Sequence, residues 1–576
     1  CTVGVTGTPT NYNGAGSFTF TVTANAVLSN SATATLSILP VNDPPVAANI
    51  TPAAFNEDTQ SLITLSYTDP ESDLATACAI TAPTNVTVTQ ACACAAGVCT
   101  VGVTGAPLNY FGSASFAYTV TAGGQPSNNA TATLTINPVN DPPVADNEAY
   151  DFIGNTELRV DLAAGTTPNT TTGAGTGVLT GDSDPVEGNA ITVSSITVGA
   201  CTDNVAPLTC TDAAVGTVAM NANGSFSFVP AAGDAGATES FTYIVTDNGT
   251  PSPASSAPAT VTLTRFNRVW YVKNDSAAGG NGTSATPFDT LVEAQTASVA
   301  NDTIFVYFGT GTTNGQNAGI VLKNGQSLLG EFEGLSLPVN LNANGAPTVL
   351  VPVPTATACG GAPCRPLIGN SGAGSNVVAA TDVIPAVIGG FRIDPPGGAS
   401  NAIDVTTNVA FVGTGTLDIR NNIVIDAGAE GIDINANGTG ANALTLLLHD
   451  NQLQATTGNA IDIVRTAGTL TITAFDDNVV TGAALANGIV VTGATFDTVA
   501  GNPIVAVPGG TTTIGVSGDG VGTGGLLLTT VVGELAFTDL DIFNGAGTGL
   551  GVTSTGALNA AAGTGFRISV PAGVAT

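Results

Sequence analysis

The stretch Pro40-Val41-Asn42-Asp43-Pro44-Pro45-Val46-Ala47 returns without a gap as Pro138-Val139-Asn140-Asp141-Pro142-Pro143-Val144-Ala145, ninety-eight residues later. Two consecutive prolines stiffen the backbone and remove two donors, so neither helix nor central strand continues through them. An amide and a carboxylate sit immediately before that stiff segment. The string marks a junction between folded units.

Working outward, residues 1–43 read as the second half of a repeat. Cys1-Thr2-Val3-Gly4-Val5-Thr6-Gly7 matches Cys99-Thr100-Val101-Gly102-Val103-Thr104-Gly105, and Asn11-Tyr12 and Gly14 recur as Asn109-Tyr110 and Gly112. Ser17-Phe18-Thr19-Phe20-Thr21-Val22-Thr23 recurs as Ser115-Phe116-Ala117-Tyr118-Thr119-Val120-Thr121. Alternation of apolar side chains with Thr at period two is the pattern of a half-buried antiparallel strand. Residues 44–141 form a whole repeat of about seven such strands, enough for a β-sandwich. Residues 142–266 form a longer, diverged copy, in which Phe241-Thr242-Tyr243-Ile244-Val245-Thr246-Asp247 stands where Phe116 to Thr121 stood.

The Asn-Asp-Pro-Pro-Val junction, the Asn56-Glu57-Asp58-Thr59 turn and the Phe-x-Tyr-x-Val-Thr strand together resemble the tandem cadherin-like (Ig-like) repeats of large bacterial surface adhesins. The resemblance covers roughly residues 1–266.

After residue 266 the pattern changes. Trp270-Tyr271-Val272 leads into Gly279-Gly280-Asn281-Gly282-Thr283, and Asp289 to Ala300 is expected to form a short helix with Leu291, Ala294 and Ala297 on one face. This start resembles the N-terminal cap of right-handed parallel β-helices of the pectin-lyase-like kind. An internal period supports that independently: Asn401-Ala402-Ile403-Asp404, Glu430-Gly431-Ile432-Asp433, Asn459-Ala460-Ile461-Asp462 and Asn487-Gly488-Ile489-Val490 are spaced by 29, 29 and 28 residues. A second track, Asn422, Asn451 and Asn478, follows at 29 and 27. Stacked Ile in a core, and Asn bonding along a turn, fit one solenoid coil per period. The expected fold is therefore all-β, with tandem cadherin/Ig-like sandwiches followed by a right-handed parallel β-helix over 267–576.

Ten Lys and Arg against forty-two Asp and Glu give a net charge of −32. That balance argues against nucleic acid and anionic lipid as partners and favours divalent cations. No apolar run is long enough to insert in a membrane. Eight of nine cysteines fall into local sets: Cys78, Cys92, Cys94 and Cys99; Cys201 and Cys210; Cys359 and Cys364. None has the spacing and nearby histidines of a zinc site, so disulfides of an oxidising compartment are expected. Cys94 with Cys99 and Cys78 with Cys92 is the favoured pairing, although four cysteines allow three connectivities. Cys1 occupies an interior repeat position, which rejects a lipoprotein reading. Residues 1–43 should expose half a core, to be completed by upstream residues or by strands from another chain.

One constellation invites catalysis. The second Asn track stacks Arg420, His449 and Asp476 on successive coils, with Asn421, Asp450 and Asp477 beside them, and His449 is the chain's single histidine. Asp450 and Asp477 are candidates for an acid and a base on a glycan. Scarce aromatic platforms and scarcer Lys and Arg favour the simpler account, charged residues at solvated turns. The Asn-x-Ser/Thr triplets at Asn85, Asn129, Asn169 and Asn437 carry little weight in so Asn- and Thr-rich a chain. Gly518 to Gly525 lacks the Lys of a phosphate-binding loop.

Calcium is the stronger expectation. An antiparallel sandwich whose first strand runs from the junction to Glu57-Asp58 returns Asp69, Glu71 and Asp73 beside Asn42-Asp43. It leaves Glu57-Asp58 beside Asn140-Asp141, where the following repeat should bring Asp182, Asp184 and Glu187. Each cluster offers hard oxygen ligands enough for a six- to eight-oxygen site. The resemblance implies that Ca²⁺ stiffens such junctions. The expected role is structural, a segment of a secreted or cell-surface bacterial adhesin or fibre without enzymatic activity. Its expected partners are other copies or neighbouring repeats, and surface glycans or receptors; the rival is a glycan-binding or glycan-cleaving β-helix carried on a stalk.

Overall fold

The computed structural model describes the chain apart from residues 166–167, 173–174, 235, 338–347, 356–358, 360–362, 373, 396–399, 409–410, 439–441, 455–456, 482–485, 499–504, 518–519, 545–546, 555–565 and 570–576. Two units result: Cys1–Pro143 with Asp184–Ile191 and Asp247–Ser255, and Val144–Ser183 with Thr192–Thr246 and Ser256–Thr576. In both, strands are the dominant regular element. Among the described residues no helix is long and apolar enough to cross a membrane.

In the first unit the repeat is visible as register. Gly14–Phe20 pairs antiparallel with Ala32–Ile38, Gly14 opposite Ile38, and Gly112–Ala122 pairs with Ala130–Asn137, Gly112 opposite Ile136. The complete repeat extends that sheet with Ala75–Thr84 along Gly112–Ala122 and with Phe55–Asn56 parallel to Ile136-Asn137. Ser61–Thr64, Val98–Gly105 and Val86–Ala95 make the facing sheet. Alternation turns Val101, Val103, Phe116, Tyr118, Val120, Leu134 and Ile136 into the space between them, where all are buried. Each such side chain contributes about 1.5–3 kcal/mol by leaving water. The Cys78–Cys92 disulfide ties one sheet to the other, while Cys94 and Cys99 are register partners joined across a hairpin.

The second unit opens with another sandwich. Glu148–Gly154 pairs parallel with Ala259–Val272, which also pairs antiparallel with Thr238–Asp247. The facing sheet runs Asn169–Thr171, Glu157–Val160, Phe226–Pro230, Gly216–Met220, Leu208–Asp212. Edge-to-face contacts of Phe152 with Phe228, and of Phe226 with Tyr150 and Phe241, fill its interior. Cys201–Cys210 joins a strand of each sheet.

Ala259–Val272 does not stop at the change of composition. Its last four residues pair parallel with Thr303–Val306 and begin a stack. From there three tracks of parallel strands succeed one another. One contains Ser327–Gly330, Val387–Gly389, Thr414–Arg420, Ala443–His449 and Thr469–Ala474. Another contains Leu367–Gly369, Arg392–Asp394, Ile423–Ile425, Gln452–Gln454 and Val479–Thr481. The third contains Val378–Thr381, Ile403–Thr407, Ile432–Ala436, Ile461–Arg465, Asn487–Thr492 and the start of Gly524–Ile542. This arrangement is consistent with a parallel β-helix. Ile403, Ile432, Ile461 and Ile489 are successive register partners in its buried core.

Asn422, Asn451 and Asn478 are fully buried at one corner. Asn422 Nδ2 donates to Asn451 Oδ1, and Asn451 Nδ2 to Asn478 Oδ1, each at 3.2 Å, with further bonds to the carbonyls of Ile388, Ile419 and Leu448. A buried amide stays only if both its ends are satisfied, and the stacked period supplies the partners.

The helix is shorter than expected, Leu291–Ala297 rather than 289–300. Thr290 caps it in an extended conformation, closing a capping box with Glu293, and Ser298 at ψ 156° leaves helical geometry. Cys359–Cys364 closes a local loop in the second unit.

Candidate metal centre

Two acidic clusters form around the repeated string, and one hydrogen-bond pattern builds both. In the first, Asp69 Oδ1 accepts the amides of Glu71 and Asp73 at 3.0 Å, which folds the Asp-Pro-Glu-Ser-Asp turn onto its own carboxylate. Glu71 then accepts the amide of Asp43 at 3.1 Å. Asn42 Nδ2 donates to the carbonyl of Gly123 at 3.2 Å. Gly123 has φ +53°, and a Cβ there would lie 2.2 Å from both Asn42 Oδ1 and Asp73 Oδ2, so these two oxygens close over a position only glycine fits. Asp69 Oδ2 is buried with no donor.

In the second cluster Asp184 Oδ1 accepts the amides of Val186 and Glu187, and its Oδ2 that of Asn189. Glu187 accepts the amide of Asp141 at 3.2 Å, as Glu71 does that of Asp43. Glu57 arrives from the opposite pole of the complete sandwich, because Phe55–Asn56 runs parallel to Ile136-Asn137 and the Glu57 amide donates to Asn137 O. Oxygens of Glu57, Asp141 and Glu187 lie within 4.8 Å of one another.

Three carboxylate oxygens of this cluster, Glu57 Oε2, Asp141 Oδ2 and Glu187 Oε1, are buried with no hydrogen-bond donor, and so is Asp247 Oδ2, whose other oxygen bonds to Asn140. Burial raises the carboxyls of Glu57, Asp141 and Glu187 above their ordinary values, and neighbouring acids add to it: Asp141 and Asp58 for Glu57, Asp58 and Asp184 for Asp141, Asp141, Asp184 and Glu57 for Glu187. Asp247 goes the other way. Burial pushes it up, but the amides of Gly249 and Ala254 and the Asn140 side chain outweigh that and hold it low.

Of the residues expected at this second cluster, Glu57, Asp141, Asp184 and Glu187 come together. Asp58 lies close enough to raise Glu57 and Asp141, while Asn140 bonds to Asp247 and Asn189. Asp182 does not join them. Its carboxylate accepts the Asp146 amide at 2.8 Å and the Tyr243 hydroxyl, and burial beside Asp146 pushes it up to about 6. The backbone of Ser183 pairs with Val144 and fixes Asp182 in that strand, whereas Asp184 begins the next turn.

Asp247 and Asn189 were not foreseen. Asp247 replaces Ala122 at the equivalent position of the preceding repeat, a substitution legible in the sequence. Asn189 stands where the shorter first turn carries Asp73.

The second-unit constellation is a charge network. Arg420 and His449 are register partners. His449 lies between Asp418 and Asp450, at 3.2 and 2.7 Å, and these bonds lift it to about 9 despite burial, so it carries a proton at neutral pH. Arg420 bonds to Glu333 and Asp418. Asn421, Asp450 and Asp477 have φ of 56°, 58° and 55°, a left-handed turn conformation that Asn and Asp tolerate best. Asp477 also accepts the Thr511 amide at 2.6 Å. Cys78, Cys94 and Cys99 lie close together but are held in disulfides rather than free for a metal.

The architecture defines an Ig-like repeat protein with acidic junctions. Residues 42–137 match the family model described as Bacterial Ig domain. No curated protein matches the chain. Among solved structures, the protocadherin gamma B2 extracellular cadherin domains 1-5 are 16% identical over 44% of this chain and 46% of theirs, with a TM-score of 0.26. Human protocadherin-24 EC1-2 is 13% identical over 39% of this chain and 100% of its own, TM-score 0.24. An endo-fucoidan hydrolase of glycoside hydrolase family 107 is 16% identical over 45% of this chain and 34% of its own, TM-score 0.17. The chain thus spans about half the length of the first of these.

Proposed function

We propose that this chain is a structural segment of a secreted or cell-surface bacterial adhesin or extracellular fibre, in which Ca²⁺ stiffens the junctions between Ig-like sandwiches. One observation carries the reading: four buried carboxylate oxygens of Glu57, Asp141, Glu187 and Asp247 lack any donor around the second junction string. Leaving such groups buried and unpaired costs several kcal/mol apiece unless a cation or proton joins them. Hard carboxylate oxygens in this number suit Ca²⁺. Glu57, Asp141, Asp184, Glu187 and Asp247 would hold it there, with Asp69, Glu71, Asp73, Asn42 and Asp43 serving the first junction. When bound, the ion offsets the repulsion that otherwise loosens the turn.

Four disulfides support an oxidising, extracellular location. The parallel stack is read as a right-handed, pectin-lyase-like coil, the hand that parallel crossovers adopt, extending the stalk without catalysis. Its partners are other copies or neighbouring repeats. Titration calorimetry and thermal melts with Ca²⁺ and then chelator test this; equal melting temperature and protease resistance in both would refute it.

A second reading rests on the Asp418–His449–Asp450 network, with Arg365 stacked 3.5 Å over Phe332 nearby in sequence to Glu333. It makes the stack a glycan-binding or glycan-cleaving face. Turnover of polyuronates or neutral glycans, lost in Asp450→Ala or Asp477→Ala, would favour it.

A further inference from the structure

Two disulfides of the complete sandwich adjoin. Cys78 lies on Ala75–Thr84, Cys92 and Cys94 on Val86–Ala95, and Cys99 on Val98–Gly105. The Sγ atoms of Cys78, Cys94 and Cys99 are all within 4.8 Å of one another, which brings the Cys78–Cys92 and Cys94–Cys99 bonds together. Cys201–Cys210 and Cys359–Cys364 have no third sulfur beside them among the described residues. Burial is uneven within the cluster. Cys99 is 0% exposed in the sandwich core, whereas Cys78, Cys92 and Cys94 are half-buried at its margin. The hairpin that joins Cys94 to Cys99 is open to solvent, with Ala95, Ala96 and Val98 exposed.

We propose that this cluster is a thiol–disulfide exchange site, which takes up a small external thiol at Cys94 and releases a thiol at Cys92. The external thiolate attacks Cys94 Sγ, the reachable end of its bond. A new bond forms there, the Cys94–Cys99 bond breaks, and Cys99 leaves as a thiolate. A thiolate buried in apolar surroundings is disfavoured, and Cys78 Sγ lies within 4.8 Å of it. Cys99 therefore attacks Cys78, forming Cys78–Cys99 and expelling Cys92, which takes up a proton at the margin. One thiol is consumed and one is formed, so the step needs no oxidant or reductant. The fixed proximity of the sulfurs speeds the internal transfer. The product still links the two sheets, because Cys99, like Cys92, belongs to the sheet facing that of Cys78. The sandwich stays stapled while it carries the adduct. Half-burial of Cys94 admits a small thiol rather than one on a folded protein.

The test uses the full chain with Cys1→Ser, which leaves every cysteine paired. It is treated with reduced glutathione without denaturant, and free thiols are trapped with N-ethylmaleimide. Peptide mapping by mass spectrometry should find glutathione on Cys94, a new Cys78–Cys99 bond and the maleimide on Cys92. The Cys94–Cys99 bond should be lost at least tenfold faster than Cys201–Cys210 or Cys359–Cys364. Adding Cys78→Ser and Cys92→Ser removes the sulfur that receives the exchange, so the maleimide should then appear on Cys99. If that variant does not fold, mapping of the parent still decides. Any other placement of glutathione or maleimide in the parent overturns the proposal, and so does equal opening of all four disulfides or no reaction.

Discussion

Glu57 accepts the amide of Val139 through Oε1 at 2.8 Å and leaves its Oε2 buried with no donor. One oxygen therefore pins the turn to the junction string while the other waits for a positive partner. Glu57→Gln keeps an acceptor for Val139 and removes the charge. Ca²⁺ affinity by calorimetry should fall at least tenfold, about 1.4 kcal/mol, while the calcium-free chain melts no lower than the parent.

Membership of the site separates two aspartates. Asp247→Asn keeps the acceptor for the Gly249 and Ala254 amides but gives up the charge beside the cluster. It should reduce the calcium-induced rise in melting temperature by half or more. Asp182→Asn, at a carboxylate bonded to Asp146 and Tyr243 instead, should leave that rise unchanged.

The pH dependence should reverse sign with calcium. Glu57, Asp141 and Glu187 are raised in the folded chain, and Asp182 and Glu148 reach about 6 and about 7. An acid raised by folding binds its proton more tightly when folded. Its contribution is fully present below the unfolded value and is lost as pH rises through the folded one. The calcium-free chain should therefore melt higher at pH 5 than at pH 7.5. With Ca²⁺ in excess, the first unit should melt higher at pH 7.5, because protons then compete with the ion. A calcium-free melt that rises with pH over this range would contradict the assignment.

Asn451→Ala should damage the second unit alone. It strips the Ile419 and His449 carbonyls of a donor and breaks the ladder to Asn422 and Asn478. Each orphaned buried group costs about 1–3 kcal/mol, so urea unfolding of the second unit should lose roughly 3 kcal/mol, with calcium binding at the junction untouched.

His449→Gln removes the proton carrier between Asp418 and Asp450. His449 is raised to about 9, so its stabilisation is complete below its ordinary value and lost as pH rises toward 9. The variant should lose about 1–2 kcal/mol at neutral pH, and the parent's decline in second-unit stability between pH 7 and 9 should disappear.

The sequence by itself determined whatever repeats or alternates. The eight-residue string, recurring after ninety-eight residues, marked the repeat period, alternation of Phe, Tyr and Val with Thr located the sandwich strands, and the spacing of Ile403, Ile432 and Ile461 located the parallel stack. These features are local or periodic, so one dimension contains them. Even Glu57's arrival at Asp141 was legible, because an antiparallel topology sends the two ends of a strand to opposite poles. Only the tertiary structure decided which carboxylates face one another. Asp182 and Asp184 stand two residues apart, yet one is claimed by the Tyr243 hydroxyl and the other folds its turn toward Asp141. Asp247 enters across more than one hundred residues, through its bond to Asn140. Likewise, Asp450 and Asp477 stood in the sequence as candidates for an acid and a base beside the favoured account of solvated turns, and their backbone showed why an acidic turn residue suits each position. Hydrogen-bond competition among neighbours distant in sequence sets a side chain's direction, and no local pattern records that competition.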